Sequence, residues 1–83
     1  MEAKRAAFDQ LVRRLNADLY RFAYWLSRDQ ALAQDLVQES FLRAWRSLAD
    51  LRDEKAAKAW LMTIVRREHA RMFERKVPPL DDI

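Results

Sequence analysis

Few residues in this chain are equipped for bond chemistry. His69 is the single histidine and there is no cysteine. Glu68 and His69 are neighbours within RREHAR, so on a helix they point about 100° apart and do not serve one centre. No pair of histidines at metal-ligand spacing, no Glu-x-x-His element and no nucleophile–base constellation occurs. The sequence therefore predicts a protein that is not an enzyme and takes neither metal nor cofactor. His69 reads as a surface or nucleic-acid-facing residue.

Two other groupings suit non-covalent recognition. Lys55 and Lys58 come first in the last third of the chain, Trp60 follows, and Arg66, Arg67 and Arg71 come after it. Cations neutralise phosphates and an indole face stacks on a base, which suits a nucleic acid. The plainer reading puts Trp60 in the core and the cations on a solvated face, balanced by Glu68 and Glu74. The second grouping lies earlier: Asp35, Gln38, Glu39, Leu42 and Arg46 share one side of a helix drawn at 100° per residue. It begins acidic, has an apolar centre and ends basic, which fits either a strip laid against a partner helix or a solvated face.

These side chains need helices to position them. Among 83 residues there is no glycine, and the two prolines are adjacent at Pro78 and Pro79. Turns that require positive φ are thus improbable, and glycine-rich phosphate loops are excluded. With 51% hydrophobic residues and nine aromatics (three Trp, four Phe, two Tyr) the chain is globular. The expected fold class is all-α, a compact bundle of about four helices.

The first helix is expected over residues 2 to 16, with a cap or short break at Asn16 to Asp18. A second, Leu19 to Ser27, is apolar nearly all round and reads as the buried centre of the bundle. The third, from Asp29 to Leu48, has Ser27 or Asp29 as its cap and Ala33, Val37, Ser40, Phe41, Ala44 and Leu48 facing inward. After Asp50 and Asp53, two further caps, a fourth runs from Glu54 to Lys76 with Ala57, Leu61, Ile64, Val65 and Met72 as its core face. The net charge is +3 but unevenly placed: residues 29 to 39 carry only acids, whereas residues 52 to 76 carry eight Lys or Arg against four Asp or Glu. One end suits a basic partner and the other a polyanion. The N-terminus has no apolar run of signal-peptide or membrane-spanning length, and a cytoplasmic location without membrane insertion is expected.

The run DLVQESFLRAWRSL, followed after a spacer by AWLMTIVRR, resembles region 2 of bacterial RNA polymerase sigma factors of the extracytoplasmic-function (ECF) class. The resemblance covers about residues 6 to 77. It implies a helical bundle in which the D-x-x-Q-E helix docks on the clamp helices of the polymerase β′ subunit. Asp35, Gln38 and Glu39 would make the polar contacts there, with Leu42 and Arg46 added because they share that side. It also implies recognition and melting of the promoter −10 element through the non-template strand. The loop at Leu51, Arg52 and Lys55 would help to capture a flipped base. Lys58, Trp60, Arg66, Arg67, His69 and Arg71 would meet bases and phosphates.

The domain is expected to occupy residues 1–77, with residues 78–83 opening an interdomain linker and the C-terminal helix-turn-helix domain absent. An anti-sigma factor is a further implied partner, and the isolated domain is expected to be monomeric. The chain departs from the family pattern at Met62, Thr63 and Arg67, so no base preference carries over, and it lacks the loop glycine of some relatives, so the pocket's shape does not carry over either. The alternative is a helical protein-interaction adaptor without DNA binding.

Overall fold

Residues 2–76 are described by a computed structural model. They form three α-helices, α1 (Glu2–Ser27), α2 (Gln30–Arg46) and α3 (Ala57–Lys76). Two short 3-10 turns, Leu48–Asp50 and Glu54–Ala56, connect α2 to α3. The all-α class expected from the sequence is found. The count of about four is corrected to three, because the expected break at Asn16–Asp18 is absent. Phe8, Leu11, Leu15, Leu19 and Ala23 form one buried stripe straight through that segment. Tertiary burial outweighs the weak helix propensity of Asn16 and Asp18. Asp18 takes no capping role; its carboxylate pairs with Arg21 on the same helix and with Lys58 Nζ of α3 at 3.2 Å.

The α1–α2 corner corrects a second expectation. Arg28 has φ 58, a left-handed conformation that glycine would accept without steric cost. Two neighbours brace it. The Ser27 hydroxyl donates to the Asp29 carbonyl at 3.1 Å, and Asp29 caps α2 by accepting the Leu32 N–H at 3.0 Å. The helix then ends at Arg46, short of Leu48, where the Ser47 N–H bonds the carbonyls of Arg43 and Ala44. Asp53 caps the turn before α3 by accepting the Lys55 N–H at 3.0 Å.

Each helix packs against both others. Leu19, Leu36 and Leu61 are fully buried, and each contributes roughly 1.5–3 kcal/mol by leaving water. Leu36 adds to the inward face read from the sequence for α2, while Phe41 and Leu48 are only half-buried. On α3, Ala57, Leu61 and Val65 are buried as expected; Ile64 and Met72 flank them at intermediate depth. The aromatic stretch of α1 is not buried all round. Leu19 and Ala23 carry its inward face, whereas Tyr24 and Trp25 are exposed, Trp25 at 61%. No described helix is long and apolar enough to cross a membrane. The expected linker at residues 78–83 lies outside the described residues.

Candidate protein and nucleic-acid interfaces

On α2, Asp35, Gln38 and Leu42 point outward, Leu42 with 51% of its surface exposed. Glu39 is half-buried. Gln38 and Leu42 border an open groove of about 580 Å³ between α1 and α2, whose other walls include Tyr20, Val37, Phe41 and Trp45. Trp45 is held there by an edge contact to Phe8, ring centroids 5.2 Å apart, and by Lys4 Nζ lying 5.2 Å from its ring centre. The groove adds Tyr20, Phe41 and Trp45 to the residues recognised from sequence. The signal that marks them is Trp45 itself, seven residues after Gln38 and so on the same side of the helix.

Arg46 lies one turn beyond Leu42 on α2 and does not border that groove. It lines a second cleft, of about 490 Å³, between the end of α2 and the middle of α3, together with Arg43, Ser47, Ile64, Arg67, Glu68 and Arg71. The cations of α3 divide in the same way. Arg67 and Arg71 open into this cleft, while Arg66 lies five residues before Arg71 and thus about 140° around the helix. Arg66, Arg67 and Arg71 are all exposed, and His69 is half-buried. Lys55 and Lys58 are exposed at the start of α3, Lys58 in its pair with Asp18.

The connection between α2 and α3 faces the N-terminal half of α1 across a shared hollow. Leu48 and Leu51 pack against the core, leaving a hollow of about 260 Å³. Phe8, Leu11 and Leu51 give it apolar walls, while Lys4, Arg52 and Glu54 bring charge to it. Leu51 is half-buried and Arg52 exposed. Trp60 is half-buried against the core, intermediate between the two readings made from sequence.

Glu68 departs most from its sequence reading. The plainer of the two sequence readings makes it a solvated counter-charge, yet it is 2% exposed. Spacings of three and seven from Val65 and Leu61 put it on their face. Its Oε2 lies 2.5 Å from Arg43 Nε of α2, while among the described residues Oε1 and the buried Ser40 Oγ have no hydrogen-bond partner. A buried carboxylate beside a guanidinium costs desolvation that the attraction must offset. Among the described residues, no group of three or more His, Asp or Glu gathers as a metal-ligand set.

The family model of sigma-70 region 2 matches residues 11–77, which include the residues lining the groove, the cleft and the hollow except Lys4, Ala7 and Phe8. The chain belongs to this family. Among its relatives is the ECF RNA polymerase sigma factor SigM of Bacillus subtilis, 31% identical over 78 residues, covering 90% of this chain and 47% of the relative. SigL of Mycobacterium tuberculosis, also an ECF RNA polymerase sigma factor, is 41% identical over 63 residues, 75% of this chain and 33% of the relative. A third, SigE of Mycolicibacterium smegmatis, is 45% identical over 47 residues, 57% of this chain and 18% of the relative. This region 2 chain thus spans less than half the length of these curated relatives. No solved structure matches it.

Proposed function

We propose that this domain couples RNA polymerase to promoter DNA, docking on the β′ clamp helices and recognising and melting the −10 element. The observation that carries the reading is the exposed Leu42 beside Asp35, Gln38 and an aromatic-walled groove, in a chain of the sigma-70 region 2 family. An apolar side chain in an acidic, amide-bearing surround suits a basic coiled coil with an apolar stripe. Asp35, Gln38 and Glu39 give the polar contacts and Leu42 the apolar one.

The DNA side uses the α2–α3 connection and α3. The hollow beside Leu51 and Arg52 has the apolar walls and charged neighbours needed to hold a base taken out of its stack. Lys55, Lys58, Trp60, Arg66, Arg67, His69 and Arg71 meet the non-template strand, whose phosphates supply attraction independent of sequence. Binding energy from the captured strand offsets the few kcal/mol of unstacking. The domain forms no covalent bond; that chemistry belongs to the polymerase. An anti-sigma factor is the natural antagonist, the cytoplasm is the working compartment, and residues 1–77 form the domain ahead of a linker.

The deciding experiment is titration of the domain with a β′ clamp-helix fragment, with Glu39→Lys as comparison. Saturable binding that the substitution abolishes, with the fold retained, supports the docking face. A folded domain that ignores the fragment removes the central claim and favours an adaptor with another partner.

A further inference from the structure

The cleft between α2 and α3 gathers more like charge than either helix requires by itself. Arg43 and Arg46 in the last turn of α2 complement the negative end of that helix. That accounts for two cations. It does not account for Arg67 and Arg71, which reach the same cleft from the facing helix. Four guanidinium groups border it against one carboxylate, and that carboxylate is engaged with Arg43. Among the described residues, Arg46, Arg67 and Arg71 have no ion-pair partner. Like charges on two facing helices repel, and a dense anion seated between them removes that cost.

We propose that this cleft is a phosphate-binding site built jointly by α2 and α3, with Arg46, Arg67 and Arg71 as its ligands. The guanidinium fork matches phosphate oxygens in paired hydrogen bonds, which lysine does not do. Ser47, at the end of α2, adds a hydroxyl at the cleft wall. Arg43 and Glu68 are positioning residues: their ion pair fixes α2 against α3 and leaves the other three arginines without an internal carboxylate partner. Arg46 thereby belongs with the anion-binding surface, and α2 presents a docking side and a phosphate side at once. The phosphate comes either from a nucleic acid strand or from a free polyphosphate. The strand source rests on the proposed function, whereas the site itself does not.

The test follows backbone amide and arginine Nε–H resonances of the whole chain during titration with inorganic pyrophosphate at low salt. Saturable shifts at Arg46, Arg67 and Arg71 are expected, with affinity at least tenfold weaker in Arg46→Ala. Arg13→Ala, which removes the same charge from an exposed position on α1, leaves affinity within twofold. No shift at these residues overturns the site, and so does a shift that Arg46→Ala leaves intact. A non-template −10 oligonucleotide is then added to the pyrophosphate-saturated domain. Displacement identifies the strand as the phosphate source; retention of pyrophosphate identifies a free polyphosphate. The clamp-fragment titration reads the polymerase assignment separately, so failure of one is not failure of the other.

Discussion

Arg43 of α2 and Glu68 of α3 form an ion pair in which one partner is buried and the other reaches water. Their Nε and Oε2 atoms are 2.5 Å apart, with side-chain exposures of 36% and 3%. This asymmetry makes the two halves of the pair unequal. Arg43→Ala strands a carboxylate in the core and is expected to destabilise the fold by about 3–5 kcal/mol. Glu68→Gln leaves a guanidinium that turns toward solvent, at a cost of about 1–2 kcal/mol. Urea unfolding of both variants checks the order; equal losses would show that the pair is not polarised by burial.

The α1–α2 corner offers a stabilising change and a destabilising one three atoms of backbone apart. Arg28→Gly relieves the left-handed residue at φ 58 and is expected to gain about 0.5–1 kcal/mol. Asp29→Ala removes the cap on the Leu32 N–H and is expected to lose about 1 kcal/mol. In a domain of this size the latter lowers Tm by roughly 4–8 °C. Thermal melts followed by circular dichroism measure both.

At the proposed docking face, Leu42→Ala removes an exposed side chain and so leaves stability within about 0.5 kcal/mol. Its effect on clamp-fragment affinity is expected to be about tenfold or more, as for a central apolar anchor. Titration calorimetry alongside a urea melt separates the two. A loss of stability matching the loss of affinity would assign Leu42 to packing instead.

On the proposed DNA-binding side, Lys58 and Arg66 are expected to differ. Lys58 already pairs with Asp18 at 3.2 Å, whereas Arg66 is exposed on α3. Arg66→Ala is expected to reduce the slope of log affinity against log salt for a single strand by about 0.7, the value of one phosphate contact. Lys58→Ala changes it less. Fluorescence anisotropy with a −10 oligonucleotide across a salt series provides both slopes; identical changes would mean that the Asp18 pair opens on binding.

The inward faces of the helices were legible because Ala33, Val37, Ser40, Ala44, Ala57, Leu61 and Val65 recur at helical spacing and all are buried. The caps at Asp29 and Asp53 were legible because each precedes a periodic run. The continuity of α1 was hidden: Asn16 and Asp18 carry a local signal for a break, and only the buried stripe on both sides overrides it. Glu68 was hidden for a related reason. Its residue type argues for solvent, and the partner that makes burial tolerable stands 25 positions earlier, on another helix. That Arg46 also lines a cleft against α3 was beyond a single-helix projection, since it depends on which neighbour each side meets.

The mutual packing of the three helices has a thermodynamic consequence. With each helix seated on both others, none can peel away without uncovering apolar faces on the remaining two. Opening of one element therefore approaches the free energy of losing the whole structure, and native-state hydrogen exchange should show the protected amides of α1, α2 and α3 converging on a single value rather than a ladder. In such a molecule the surfaces on α2 and α3 exist together or not at all.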